Sequence, residues 1–488
     1  MPIDLLLRII PAACGGVVWG IFGGALPGIS PSITMALLLP FTYGMDSTVA
    51  IVMLASTYIG AEYGGSIPAI LLRTPGTNAA AATVADGYAM KQQGRAGEAL
   101  GISLYSGCVG GLVGLAALVL LAEPLSRVAL AFTPPAYFAV GVLGLSVITS
   151  LARASLLKGL IAGVLGLMIA TVGTDPVTGL TRFTFDRPEL LSGIPPLLVM
   201  VGLFAVSELL VQANEPGWAD AGERPRIVFP SRQTWKRIAL PQLIGSVVGT
   251  FEGLVPGGGG SVSAFLSYNE AKRWSRHPEE FGLGSPEGVA APEAANNTVA
   301  CTALIPLLGL GIPGSNSAAV LLGGFLMHGL VPGPMLFVKD PQVATGLYVG
   351  LFAANMAMLV AGYLIMAPCM WLVSRPKPYL MAFIYALVVS GIFAVEGSVF
   401  HVFLVLAFGL AGYLLRAAGV PVLPMVLGVV LGFMVESNYR RSLVLSDGDY
   451  MTFVNDRLAL GLLTAAAVIV AGSLIRHALT KTRGEATA

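Results

Sequence analysis

Long apolar runs separated by short polar ones make up most of this chain. They recur near residues 101–121, 137–150, 159–172 and 193–213, and again near 343–372, 379–395, 399–415, 420–436 and 456–477. A helix needs about 20 apolar residues to cross a bilayer, and several of these runs approach that length. Alternating ten-residue segments, the mark of a membrane β-barrel, do not dominate anywhere. The pattern predicts an all-α polytopic membrane protein with roughly 11–12 spans.

Four further apolar segments are broken by glycine and proline, and they come in matched pairs. The first pair reads Gly20-Ile21-Phe22-Gly23-Gly24-Ala25-Leu26-Pro27-Gly28, then Ser32, against Gly249-Thr250-Phe251-Glu252-Gly253-Leu254-Val255-Pro256-Gly257, then Ser261. The second pair sets Pro68 and Pro75-Gly76-Thr77-Asn78 against Pro306 and Pro313-Gly314-Ser315-Asn316, with Ala80-Ala81 matched by Ala318-Ala319. Corresponding broken segments in two halves of a chain are the best sequence pointer to a transporter binding site. In lipid an irregular backbone must be buried in protein or line a water-filled cavity.

The chemistry at the breaks follows from what they free. Half-helices that start there present N–H groups to an anion, and half-helices that end there present carbonyls to Na⁺. Hydroxyl and amide side chains add ligands with no permanent charge. The expected substrate contacts are Gly28, Ser30, Ser32, Thr77, Asn78, Gly258, Gly259, Ser261, Ser315 and Asn316, joined by Asn296 and Asn297 of Pro292-Glu293-Ala294-Ala295-Asn296-Asn297. The expected ion-coupling positions are Thr74, Pro75, Gly76, Gly311, Pro313, Gly314, Glu252 and Glu293, with Na⁺ at the same breaks or H⁺ on a carboxylate. Neutral hydroxyls and amides suit Na⁺, while Glu62, Glu252 and Glu293 suit H⁺, since intramembrane carboxylates are costly unless used. Arg73 either meets a carboxylate or snorkels to the surface. His328 and His401 carry no partner spacing and read as structural.

Loop charges assign an orientation through the excess of Lys and Arg on cytoplasmic loops. The basic tail (Arg476, His477, Lys481, Arg483) is expected inside. Reading back, 437–455 falls outside, Arg416 inside, Glu396 outside, Arg375 and Lys377 inside, and 331–342 outside. In the first half Arg224, Arg226, Arg232, Lys236 and Arg237 fall inside, 173–192 outside, Arg153 and Lys158 inside, 122–136 outside, and Lys91 and Arg95 inside. Equivalent loops lie on opposite faces, so two inverted-topology repeats with re-entrant or broken helices are expected. Residues 1–213 form the first repeat, 214–237 a cytoplasmic linker, 238–455 the second repeat, and 456–488 an extra span with a basic cytoplasmic tail. The N-terminus is then periplasmic, and its apolar run, holding Asp4 and Arg8, reads as an uncleaved membrane segment.

Composition narrows the function classes. The 488 residues are 55% hydrophobic and 11% charged, with mean hydropathy +0.81, against about a quarter charged in soluble proteins. A net charge of +1 offers nothing to nucleic acid. Cys14, Cys108, Cys301 and Cys369 lie far apart and read as small apolar packers. No phosphate-binding Gly-x-x-x-x-Gly-Lys-Ser/Thr loop and no His-Glu-x-x-His appear, which disfavours an ATP-driven pump and an intramembrane metalloenzyme. A passive channel is the other alternative, and internally broken, inverted halves argue against it.

At these residues the chain resembles the large membrane subunit (TctA-type permease) of the tripartite tricarboxylate transporter family. The matching strings are Gly23–Gly28, Gly64–Thr77 with Asp86-Gly87-Tyr88, Phe281–Asn297 and Leu310–Ser315. The resemblance implies a bacterial inner-membrane permease working with a small TctB-like membrane subunit and a periplasmic TctC-like binding protein. It also implies ion-driven symport of an organic carboxylate, with no enzymatic activity and no cofactor beyond Na⁺ or H⁺. Alternating access is the expected mechanism. The broken segments 20–43, 63–85, 249–270 and 296–328 would form a mobile unit that slides as an elevator against the remaining spans.

Overall fold

The computed structural model describes residues 2–130, 132–151, 156–175, 179–213, 226–255, 259–373 and 377–485. The chain opens with α1 (Ile3–Ala25), α2 (Pro31–Leu38), α3 (Ser47–Leu72), α4 (Val84–Gln92) and α5 (Ala96–Ala129). Then come α6 (Pro134–Leu151), α7 (Leu156–Ala170) and a two-residue antiparallel pairing of β1 (Gly173–Thr174) with β2 (Thr181–Arg182). A π-helical stretch, Val201–Val206, joins α8 (Pro196–Met200) to α9 (Ser207–Ala213). The second broken region holds α10 (Arg232–Leu254), α11 (Gly259–Trp274), α12 (Pro286–Thr302), α13 (Leu304–Leu310) and α14 (Asn316–Met327). It is followed by α15 (Pro334–Lys339), α16 (Pro341–Leu364), α17 (Met366–Val373) and α18 (Lys377–Glu396). The chain closes with α19 (Val399–Ala417), α20 (Leu423–Leu445), α21 (Thr452–Asn455) and α22 (Arg457–Glu485).

Six helices among the described residues are long and apolar enough to cross a membrane, so the protein is an all-α polytopic membrane protein. Several others are short because glycine and proline end them, not because the sequence turns polar. Pro31–Thr42 and Asn316–Met327 are apolar throughout yet begin directly after a break. Where helices start, short polar side chains hold the orphan N–H groups. Asp46 accepts from Thr48 N at 3.0 Å and Val49 N at 3.2 Å, and Ser231 accepts from Thr234 N at 3.2 Å. Most of the expected linker, 214–225, lies outside the described residues. Its last residues are already helical, because α10 starts at Arg232.

Packing divides the chain into two compact units. One holds Met1–Ser126 with Glu208–Val395, the other Arg127–Ser207 with Glu396–Ala488. The first unit contains both copies of both broken motifs. Its helices are brought together by glycines. A methyl placed on Gly20 of α1 would lie 2.4 Å from the Thr57 carbonyl oxygen of α3, and one on Gly24 would lie 2.1 Å from that of Ala61. The same contact is built again where α10 meets α12. A methyl on Gly245 would lie 2.3 Å from Ala291 O, and one on Gly249 2.5 Å from Ala295 O. Small residues every fourth position let membrane helices approach backbone to backbone, where dispersion replaces the missing hydrophobic drive.

In the second unit, α20 packs on α6 and α7, and α22 packs on α6. The short hairpin is pinned to α20 by charge. Arg182 Nη1 lies 2.7 Å from Glu436 Oε1, and Arg440 Nη1 lies 2.8 Å from Asp175 Oδ2. A groove of about 290 Å³ runs along α20 beside these groups, between Phe433 and Leu445. Phe138, Tyr439 and Phe453 form an aromatic cluster on the same unit.

The glycine contact can be tested by a matched pair of variants. Gly20→Ala forces α1 from α3 and is expected to lose about 1–3 kcal/mol, the cost of overpacking. Gly15→Ala meets only Met53 Cε at 3.8 Å and should be silent. Thermal unfolding of the purified protein in detergent reads both. Equal midpoints for the two variants would contradict the packing described.

Candidate functional site

The two copies of each break close with the same hydrogen bonds. After α1, Leu26 N donates to Gly23 O at 3.1 Å, and after α10, Val255 N donates to Glu252 O at 3.2 Å. At the second break Thr74 N donates to Pro68 O (3.3 Å) and Gly76 N to Gly65 O (3.0 Å). Their counterparts are Ile312 N to Pro306 O (3.2 Å) and Gly314 N to Ala303 O (3.3 Å). Thr77 Oγ1 then accepts from Ala80 N at 3.3 Å, as Ser315 Oγ accepts from Ala318 N at 3.1 Å. Each helix thus ends in a turn that returns its last carbonyls to the chain. The pivot residue is left-handed in both copies, Arg73 at φ 59° and Gly311 at φ 77°. Glycine adopts this freely, whereas a side chain costs about 1–2 kcal/mol. Arg73 carries its guanidinium 5.8 Å above the Tyr88 ring.

Each turn sits on the helix end of its own half. A methyl on Gly76 would lie 2.1 Å from Gly24 O, and one on Gly314 2.8 Å from Gly253 O. Beyond the turns the halves exchange contacts reciprocally. Ala79 and Ala82, after the first tip, pack with Ala264 of α11. Helix α14, after the second tip, packs on α2 and α3, with Gly324 facing Leu39 and Leu54. Thr42 Oγ1 and His328 Nε2 hydrogen-bond there at 3.1 Å.

Between the tips lies a buried polar layer. Glu293 of α12 is 1% exposed. Its Oε1 accepts from Thr83 Oγ1 at 2.5 Å and its Oε2 from Ser103 Oγ at 3.0 Å. Ser103 Oγ also bonds Ser66 Oγ of α3 at 2.6 Å. Asn297 Nδ2 donates to Glu293 O at 3.1 Å. On the other side, the Tyr58 hydroxyl of α3 bonds Ser315 Oγ at 3.1 Å. Asn296 and Glu62 are buried and face one another. A methyl on Gly260 would lie 2.3 Å from Asn296 Oδ1 and 3.4 Å from Ala79 Cβ, so the start of α11 and the first tip both border Asn296.

The expected site residues divide by location. Gly76, Thr77, Gly311, Pro313, Gly314 and Ser315 are buried at the two tips, and Pro75 is half-buried. Thr74, Asn78 and Asn316 are exposed. Asn78 and Asn316 are counterparts, so the repeat preserves exposure as well as backbone. Glu293, Asn296 and Asn297 are in the buried layer. Gly28 is exposed at φ 82°, and a methyl there would lie 2.3 Å from Gln212 Nε2. Ser30 and Ser32 bond each other at 2.8 Å beside the start of α2. Gly258 lies outside the described residues, as do Pro256 and Gly257. Gly259 begins α11, and Ser261 is half-buried in its first turn. Glu252 is half-buried, its carboxylate makes no hydrogen bond or ion pair among the described residues, and it does not join the buried layer.

Sequence reasoning missed Tyr58, Ser66, Thr83 and Ser103, which are single polar residues scattered through apolar helices. It also passed over the use of Asp86, which is fully buried. Asp86 Oδ1 accepts the N–H groups of Gly282, Gly284 and Ser285 at 2.8, 2.9 and 2.7 Å, and Oδ2 accepts from the Tyr268 hydroxyl at 2.8 Å. Arg237 adds ion pairs to Glu280 and Glu287 at 2.5 and 2.8 Å. The loop before α12 is thereby clamped to α4, just beyond the first tip. The available signal was the pair Gly282 and Gly284, which take φ 89° and 105°.

Comparison with known proteins adds a family. A model described as the tripartite tricarboxylate transporter TctA family matches residues 10–427. An uncharacterized 52.8 kDa protein in the TAR-I ttuC' 3' region of Agrobacterium vitis is 39% identical over 465 residues, covering 93% of this chain and 91% of the relative. An uncharacterized protein in the TAR-II ttuC' 3' region of the same organism is 34% identical over 229 residues, covering 46% of this chain and 94% of the relative. No solved structure gives a significant match.

The clamp makes a stability prediction. Asp86→Ala strands the buried N–H groups of Gly284 and Ser285, each costing about 1–3 kcal/mol, and releases the part-buried one of Gly282. A loss of about 3 kcal/mol or more is expected in thermal unfolding, with new protease cleavage in the 277–285 loop. Asp86→Asn keeps one acceptor and should lose less. An Asp86→Ala protein as stable and resistant as the parent would refute the clamp.

Proposed function

The chain belongs to the tripartite tricarboxylate transporter TctA family, and from that membership and its matched breaks we propose a specific role. It is the large membrane subunit of a binding-protein-dependent secondary transporter that imports an organic carboxylate by ion-coupled alternating access. The observation that carries this reading is the pair of tips, built alike hydrogen bond for hydrogen bond around one buried polar layer. Duplicated discontinuous helices converging in this way suit a midplane substrate site.

The chemistry suits an anion. Helix α14 starts at the second tip, so the positive end of its dipole would favour an anion there. Ser315 and its counterpart Thr77 supply hydroxyls, while Asn78 and Asn316 supply exposed amides that can reach a carboxylate. Gly28, Ser30, Ser32 and the Gly258–Ser261 stretch would line the approach. Thr74, Pro75, Gly76, Gly311, Pro313 and Gly314 would border the path of the coupling ion, with Glu252 at its edge and Glu293 in the buried layer where the ion would be held. A di- or tricarboxylate fits donors drawn from both halves.

Alternating access would move the four broken segments, all of which lie in the first compact unit, against the remaining spans, with the repeats entering the membrane from opposite sides. The elevator form is an analogy with other duplicated transporters. A TctB-like membrane subunit and a periplasmic TctC-like protein would complete the system in a bacterial inner membrane.

The test is uptake by the complete complex in proteoliposomes, with its binding protein supplied, under an imposed Na⁺ gradient or pH gradient. Accumulation that requires one gradient and collapses when it is dissipated is expected. Downhill flux indifferent to both gradients would replace this reading with a channel.

A further inference from the structure

Glu62 of α3 and Glu293 of α12 are two carboxylates in one buried enclosure, 5% and 1% exposed and within electrostatic reach of each other. Neither forms an ion pair with a described residue. Removing such charges from water costs several kcal/mol each unless something compensates. Compensation is uneven here. Both oxygens of Glu293 accept hydroxyl hydrogen bonds, from Thr83 and Ser103. Glu62 Oε2 makes no hydrogen bond of normal length, nor does either polar atom of the Asn296 side chain, although Asn296 lies close enough to Glu62 to interact with it. Buried polar atoms are rarely left this way, and each such exception needs an explanation. Tyr58 on α3 neighbours Glu62 and Tyr63 on α3 neighbours Glu293, and behind these tyrosines lie Cys301 of α12 and Cys369 of α17. None of them is basic, so nothing among them neutralises a carboxylate.

We propose that Glu62 and Asn296 form the site of the coupling cation, a single positive charge held by the Glu62 carboxylate and the Asn296 carbonyl oxygen, with Glu293 as the second acid that makes occupancy necessary. The charge is either a proton, bonded to a Glu62 oxygen, or Na⁺, ligated by these oxygens. This rests on the transport reading and assigns its ion to residues. The placement couples the cation to substrate through short paths. Tyr58, one turn before Glu62, holds Ser315 of the second tip. Glu293 holds Thr83, which follows the first tip. An empty site leaves two like charges facing each other between the tips, and an occupied one removes that repulsion. Tip closure over substrate is thereby tied to cation occupancy.

The test uses the complete complex in proteoliposomes and two assays, gradient-driven accumulation and one-for-one exchange of internal for external substrate. Glu62→Gln presents the neutral state permanently. Exchange needs no net cation movement and should persist, while accumulation falls by about tenfold or more, within the range of ordinary coupling. Parent accumulation driven by Na⁺ at constant pH identifies Na⁺, and accumulation driven by a pH gradient without Na⁺ identifies the proton. Asn296→Ala, the second variant, should raise the Na⁺ or proton concentration needed for half-maximal uptake by about tenfold. A Glu62→Gln complex that still accumulates substrate as the parent does would overturn the assignment. So would one that is folded but loses exchange together with accumulation, and so would an unchanged cation requirement in Asn296→Ala. If the parent complex neither exchanges nor accumulates any carboxylate, the transport reading itself falls.

Discussion

In a bilayer every backbone N–H and C=O must find its partner inside the protein. A membrane protein that breaks its helices within apolar segments must answer that requirement at each break. This one answers it twice with the same turn. Proline at 68 and 306 removes a donor, a left-handed residue at 73 and 311 reverses the chain, and glycine at 76 and 314 brings the tip onto the end of α1 or α10. That seating requires α1 to lie against α3 and α10 against α12 with no side chain between them. The glycine stripes on α1 and α10 provide this. Remove the close approach and the tips lose their floor.

The duplicated breaks were legible in the sequence because glycine and proline act locally. Their spacing alone located the turns, and the turns form hydrogen bond for hydrogen bond at counterpart residues. What surrounds the tips was not legible in the same way. Thr83 and Ser103 meet Glu293 across intervals of 210 and 190 residues, and no local pattern marks such a meeting. Tyr58 reads as one more aromatic in an apolar helix until its hydroxyl is found on Ser315. Glu252, adjacent to a break in sequence, stays outside the buried layer, whereas Glu62 enters it. Sequence proximity to a motif was therefore a weaker guide than the helix face on which a residue sits. The compact units were also hidden, since each gathers segments from both halves of the chain.

The repeat is faithful at the tips and departs between them. Exposure is matched at Asn78 and Asn316, and a hydroxyl is matched at Thr77 and Ser315. The carboxylates are unmatched, one on α3 and one on α12 at non-equivalent positions. A symmetric arrangement of neutral donors thus encloses an asymmetric pair of acids. On the proposed function, the neutral donors would bind and release an anion without a permanent buried charge, and the acids would favour a cation beside it. Arg73, standing where the other copy has glycine, adds a further asymmetry near the first tip.

The central claim is that the two tips form one site. Single cysteines replacing Asn78 and Asn316, in a background free of the four native cysteines, test it by alkylation in the presence and absence of carboxylate substrate. Substrate should protect both positions, over the same concentration range. Protection of one position alone, or of neither while transport proceeds, would contradict a shared site.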